Sequence, residues 1–105
     1  MATRTPRMAH IEALLTDEPQ DSFLRYGLAM EYVSAGDEIT AADLLVKLAN
    51  DSAYVPAFLQ AGQVLSRLNR FEDACVVLRR GIEAAKSQGN SHAEGEMAGL
   101  LSSLE

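Results

Sequence analysis

Cysteine is almost absent from this 105-residue sequence, in which Cys75 is the single thiol. One thiol cannot form an internal disulfide, and the sequence has no CxxC motif or Cys/His cluster of the kind that holds a structural metal. We therefore expect a protein of a reducing compartment that contains no metal site and requires no cofactor.

Long apolar runs are missing as well, the longest being the five residues from Ala74 to Leu78. A membrane-spanning helix needs about 20 predominantly apolar residues. The basic stretch 1–7, MATRTPR, is not followed by an apolar segment that would form the core of a signal peptide. These features predict a cytoplasmic protein that does not contact a membrane.

Positive charge is scarce, because 9 Lys and Arg residues oppose 15 Asp and Glu residues, for a formal net charge of −6 at pH 7. Affinity for nucleic acid comes mainly from basic side chains that neutralise phosphates, so this balance argues against a nucleic-acid partner. The charges are also unevenly spread. Residues 17–51 are predominantly acidic, whereas residues 67–86 are predominantly basic.

Catalytic motifs are the last notable absence. Neither His10 nor His92 stands beside a Ser or Cys in a recognisable nucleophile motif, and the sequence has no glycine-rich phosphate loop. Cys75 falls on an apolar helical stripe and is expected to be a small buried side chain and not a reactive thiol. We therefore expect no catalytic residues and no enzymatic activity.

Helical periodicity, by contrast, runs through the sequence, and the alternation typical of strands is nearly absent. Apolar or small residues recur at i, i+3, i+4 and i+7 in one segment: Phe71, Ala74, Cys75, Leu78, Gly81, Ile82 and Ala85. The segment before it shows the same spacing: Phe58, Ala61, Gly62, Leu65 and Leu68. With 48% apolar and 23% charged residues, the composition is that of a folded all-α domain.

A shift of 33 residues superimposes one helical hairpin on another. It places Ala29 on Gly62 and Gly36 on Asn69. Glycine and asparagine most readily adopt the left-handed conformation that ends many helices, so both hairpins are predicted to turn at the same point. The sequence therefore contains an internal repeat of two helical hairpins.

Further helices flank this repeat on both sides. Thr5-Pro6 is predicted to cap and begin the first helix, and Ser91-His92-Ala93-Glu94 matches a capping box for the last. Terminal helices of this kind shield faces that a short solenoid would otherwise expose. The predicted domain, residues 1–105, has about five helices: an N-terminal helix over 6–16, a first hairpin over 20–52, a second hairpin over 54–88 and a capping helix over 91–104.

Each helix of the second hairpin contains a small residue, Gly62 in the first and Ala74 in the second. Two antiparallel helices approach closely only where side chains are small, so Gly62 and Ala74 are predicted to meet across this hairpin. In the last helix, the spacing of Gly95 and Gly99 indicates close approach to the preceding helix or fraying, in preference to a membrane dimer.

These hairpins resemble the tetratricopeptide repeat family, whose pattern is W-x2-L-G-x2-Y followed by A-x3-F. The second hairpin has Phe58, Ala61, Gly62, Leu65, Ala74 and Leu78 at those positions, and the first has Arg25, Leu28, Ala29, Tyr32, Ala41 and Leu45. The resemblance covers about residues 20–88 and implies an all-α fold, an α-solenoid of two hairpins. An unrelated five-helix bundle is the alternative.

The resemblance also implies a function. The first helices of such hairpins line a concave surface that binds peptides or partner proteins, so we expect a non-catalytic interaction module, an adaptor or scaffold. On this sequence that surface would include eight residues: Phe23, Tyr26, Met30, Val33, Leu59, Gln63, Ser66 and Arg67. Two alternatives stay open: the N-terminal helix covers the apolar part of this surface, or a second copy of the chain fills the groove and forms a homodimer.

Overall fold

The computed structural model of the chain describes residues 4–105, so the first three residues of the basic N-terminal stretch lie outside the described part. The described residues form six α-helices and no strand. The helices are α1 (Pro6–Asp17), α2 (Ser22–Ser34), α3 (Glu38–Asp51), α4 (Val55–Arg67), α5 (Phe71–Ser87) and α6 (Ser91–Leu104).

The prediction of about five helices was wrong by one, although the predicted N-terminal helix, two hairpins and capping helix together make the six that residues 4–105 form. The turns at Gly36, Asn69 and Gly89 have φ of 83°, 61° and 70°. Residues in this left-handed conformation cannot continue a right-handed helix, so a helix ends at each of the three turns. Two further non-helical segments, 18–21 and 52–54, separate the remaining helices. Five interruptions separate six helices. The predicted equivalence of Gly36 and Asn69 is confirmed, because both adopt the left-handed conformation.

Side chains from the preceding loops cap four of the helices. Thr5, Asp21, Asp37 and Asn90 each accept a hydrogen bond from the backbone N–H three residues later, at distances between 2.9 and 3.2 Å. The capping box predicted at Ser91 was therefore wrong by one position. Asn90 is as good an N-cap as serine, and Ser91 already lies inside the helix.

Each helix packs chiefly against the next one in the chain, and α4 also packs against α6. The hairpins α2–α3 and α4–α5 are therefore joined through α3 and α4, with α1 at one end of the stack and α6 at the other. This arrangement confirms the predicted all-α solenoid.

One hydrophobic cluster connects α2 to α6. Each of these five helices contributes a side chain with no exposed surface: Ala29, Leu45, Val64, Leu78 and Met97. Leu78 belongs to the α5 stripe read from the sequence, whereas Val64 lies outside the stripe predicted for α4 and was missed as a core residue. Cys75 departs from its expected burial and is only half-buried on α5.

Two glycines mark places where helices nearly touch. A Cβ atom at Gly62 would lie 2.5 Å from Cδ2 of Leu78, and one at Gly81 would lie 2.5 Å from both Sδ of Met97 and Cβ of Phe58. The predicted need for a small residue at Gly62 is thus met, but its nearest neighbour is Leu78, one helical turn beyond Ala74. Gly81 has the more crowded position, because α4 and α6 both contact it.

The glycines of α6 behave differently. A Cβ atom at Gly95 or Gly99 would have no atom of another element within 4 Å. Close approach to the preceding helix or fraying was predicted for these residues, and the first of these two alternatives was wrong. The helix instead packs through its leucines and Met97, and the two glycines face open space.

Candidate partner-binding surface

Three of the eight predicted surface residues lie together on α2. Phe23, Tyr26 and Met30 are spaced by three and four positions, which places them on one face of the helix. They line a shallow groove of about 400 Å³ between α1 and α2. Phe23 is 72% exposed, the largest exposed fraction among the large apolar residues of the part of the chain that the structure describes.

The N-terminal helix forms the second wall of this groove without filling it. Cδ1 of Ile11 lies 3.8 Å from the position that a Cβ atom would occupy at Gly27, so the Ile11 side chain of α1 lies over Gly27 of α2 with room for a methyl group between them. An ion pair of 3.5 Å between Arg7 and Glu31 links the same two helices. The helix therefore covers part of the apolar stripe but leaves Phe23 open to solvent.

Tyr26 connects the groove to the second hairpin. Its ring lies 5.5 Å from that of Tyr54, at an interplanar angle of 57°. Partial burial, and to a lesser extent the neighbouring Tyr54, raises the pKa of the Tyr26 phenol above its ordinary value. Like any tyrosine hydroxyl at neutral pH, that of Tyr26 is protonated and can donate a hydrogen bond.

Two polar contacts hold the start of α2 against the connection between α3 and α4. Nη2 of Arg25 lies 2.8 Å from Oδ2 of Asp51, and the hydroxyls of Ser22 and Ser52 are 3.2 Å apart. Because Asp51 ends α3 and Ser52 follows it, these contacts hold the start of α2 against the C-terminal end of α3 within the first hairpin.

The other five predicted residues are placed differently. Val33 and Leu59 pack partly against the hydrophobic cluster, and Gln63 and Ser66 are half-buried on α4. Arg67 is exposed and forms an ion pair with Glu38 of α3. None of these five lines the groove between α1 and α2.

A second groove, which sequence reasoning missed, lies between α3 and α5 and has a volume of about 500 Å³. Its lining includes Val46 and Val76, and the Val76 side chain is 54% exposed. A signal was present in the sequence. Val76 falls outside the i, i+3, i+4 stripe of α5, so an apolar residue occupies the face that should be polar.

Within residues 4–105, no three His, Cys, Asp or Glu side chains are grouped closely enough to hold a metal ion. His10 and His92 are both exposed, on α1 and α6 respectively. None of the helices in the described part of the chain has the length and apolarity needed to span a membrane.

Comparison with known proteins gives a match only at the level of solved structures. No protein-family model matches the chain, and no curated protein matches it. The chain is similar to a tetratricopeptide repeat domain protein from Salinibacter ruber solved by solution NMR, with 30% sequence identity and a TM-score of 0.78 over 83% of this chain and 89% of that one. It is also similar to a crystal structure of a tetratricopeptide repeat domain protein from the same organism, with 28% identity and a TM-score of 0.76 over 80% of this chain and 96% of that one.

Proposed function

This chain belongs to the tetratricopeptide repeat family, and from that premise we propose that it is a non-catalytic adaptor that binds a peptide or partner protein on the surface formed by α2 and α4. The proposed contact residues are Phe23, Tyr26, Met30, Val33, Leu59, Gln63, Ser66 and Arg67. A helical repeat module of this kind serves, in general, for interaction between proteins.

The exposure of Phe23 is the observation that carries this proposal. Burying a phenylalanine side chain fully is worth about 1.5–3 kcal/mol relative to leaving it in water. Most of that free energy is still unrealised in the free chain, because the side chain is 72% exposed. A partner can bind with an apolar segment that covers Phe23 and enters the groove beside Tyr26 and Met30. Binding would then gain the free energy of burying Phe23.

The α4 half of the surface offers polar contacts. Gln63 and Ser66 supply hydrogen-bond donors and acceptors, and Arg67 supplies a charge. The ion pair of Arg67 with Glu38 lies at the surface, where such pairs contribute only about 0–1 kcal/mol. Arg67 could therefore leave Glu38 and pair with a carboxylate of the bound partner at little cost in free energy. We expect a ligand with an apolar anchor for α2 and a polar or acidic part for α4.

Affinity capture from native cell extract with two matched variants tests the proposal. Phe23→Ser removes the exposed anchor, whereas Ile39→Ser removes an apolar side chain that is 56% exposed at the start of α3 and lies outside the proposed surface. A partner retained by wild type and Ile39→Ser but lost by Phe23→Ser, and then shown to bind as a purified protein, supports the proposal. Identical capture by all three chains would count against it.

A further inference from the structure

The charges that line the groove between α3 and α5 point to a second interaction surface. Seven of the nine basic side chains have a polar partner within residues 4–105: Arg4 with Glu12, Arg7 with Glu31, Arg25 with Asp51, Arg67 with Glu38, Arg79 with Glu105, Arg80 with Asn50 and Lys86 with Glu83. The two without such a partner in this range are Lys47 and Arg70. Both line the groove between α3 and α5.

The two helices that form this groove run in the same direction, since short turns make each of them antiparallel to α4, and hydrogen bonds join α5 and the residue after it to the end of α3 and the loop that follows. Nη1 of Arg80 donates to Oδ1 of Asn50 at 2.6 Å, and Nε2 of Gln88 donates to the carbonyl of Ala53 at 2.7 Å. Residues early in α3 and α5 therefore lie at one end of the groove, and residues late in these helices lie at the other.

Charges of opposite sign occupy the two ends. Asp43 and Asp73 come earlier in α3 and α5, and Lys47 and Arg80 follow one and two helical turns later. Arg70, at the start of α5, reduces the acidic excess at the first end without reversing it, since two carboxylates are present there. At the second end the carboxylate of Asp51 is paired with Arg25, which leaves an excess of positive charge.

A second copy of the same surface has the complementary arrangement. Consider a 180° rotation about an axis that lies in the surface and crosses both helices at their middle. The acidic end of each copy then faces the basic end of the other. The middle is apolar, with Val46 and the exposed Val76 on either side of the groove. In that orientation α3 of one copy faces α3 of the other and α5 faces α5, each pair antiparallel, and the side chains around the two Val76 residues can interdigitate, as those of packed helices commonly do.

We propose that α3 and α5 form the interface of a symmetric homodimer. Val76 lies near the two-fold axis, Asp43 faces Lys47 of the partner subunit, and Asp73 faces Arg80 of the partner subunit. This interface shares no residue with the groove between α1 and α2. The dimer therefore leaves that groove free, and its existence does not depend on the adaptor function proposed above.

Sedimentation equilibrium of the full chain from about 10 μM to about 1 mM covers the affinities expected of a small interface. The average mass of wild type should rise with concentration towards twice the chain mass of 11.4 kDa. Val76→Glu should remain monomeric because it places two like charges at the axis, and Phe23→Glu should behave as wild type. A wild-type chain that is monomeric at about 1 mM, or a dimer lost in Phe23→Glu, would overturn the proposal.

Charge reversal tests the orientation of the two copies. Asp43→Lys opposes the new lysine to Lys47 of the partner subunit, and Lys47→Glu opposes the new glutamate to Asp43 of the partner subunit. Each variant alone should dimerise about tenfold more weakly, because two attractive surface pairs become repulsive. Mixed in equal amounts, the two variants should form a heterodimer of nearly wild-type affinity, since every facing pair is again opposite in sign.

Both residues are exposed, so neither change should unfold the chain, and circular dichroism melting of each variant provides the check. Recovery of dimers in the mixture supports the antiparallel pairing of α3 and α5. Weakening in both single variants without recovery in the mixture, or no weakening in either, would refute it.

Discussion

Replacing Gly81 by alanine should destabilise the chain, although alanine favours helices. In a helix interior, alanine is better than glycine by about 0.5–1 kcal/mol. At Gly81, however, the new Cβ atom would lie 2.5 Å from Sδ of Met97 and 2.5 Å from Cβ of Phe58. Non-bonded carbon atoms normally lie about 3.5–4.0 Å apart, so a displacement of roughly 1 Å is needed on both sides.

The two neighbours differ in their freedom to move. Met97 is flexible and could rotate its thioether away, but Cβ of Phe58 is attached directly to the backbone of α4 and moves only with that helix. Overpacking of this kind typically costs about 1–3 kcal/mol. Subtracting the gain in helix propensity leaves a range of about 0–2.5 kcal/mol, and we expect Gly81→Ala to lower the free energy of unfolding by about 1 kcal/mol, near the middle of that range.

Urea denaturation followed by circular dichroism measures this change, with Gly95→Ala as the matched control. A Cβ atom at Gly95 would meet no other element within 4 Å, so the same substitution there should raise the free energy of unfolding by up to about 1 kcal/mol. Opposite signs at the two positions would support the packing of α4, α5 and α6 around Gly81. A Gly81→Ala chain as stable as wild type would refute it.

Two further predictions concern helix caps. Asn90→Ala should lower the free energy of unfolding by about 1 kcal/mol because Asn90 caps α6, whereas Ser91→Ala should change it by less than about 0.5 kcal/mol; thermal melts of the two variants compare these positions directly. Asp37 caps α3, and hydrogen bonds with Thr40 hold the pKa of its carboxyl below the ordinary value. The ionised cap therefore stabilises the fold above the unfolded-state pKa and loses this contribution as the pH falls through the lower folded-state pKa. Relative to Asp37→Asn, whose cap does not titrate, wild type should lose stability below about pH 4 in urea titrations, and parallel curves for the two chains would contradict the assignment.

Local features of the fold were accessible from the sequence because they depend on neighbouring residues. The turns at Gly36 and Asn69 follow from backbone preferences of single residues, and the cap at Thr5 follows from a side chain that reaches only three positions ahead. Where two capping residues stand side by side, at Asn90 and Ser91, local reasoning chose the wrong one. Both are good caps, and the turn that follows Gly89 decides between them.

The candidate surfaces were accessible only in part. Helical spacing placed Phe23, Tyr26 and Met30 on one face, and the structure brings them together in one groove. How far α1 would cover that face was not predictable, because this depends on the angle at which α1 packs. The groove between α3 and α5 was missed, since its two walls come from helices about 30 residues apart whose proximity is set by α4.

The sequence alone determined that the chain is helical, where most of its turns lie and which stripes face the core, because each of these depends on residues a few positions apart. It also determined the repeat of 33 residues, because the same local pattern occurs twice. The tertiary structure decided which glycine is crowded, which apolar side chains stay exposed and which charges find partners. Those outcomes depend on the distances between helices, and no local preference specifies how closely one helix approaches another.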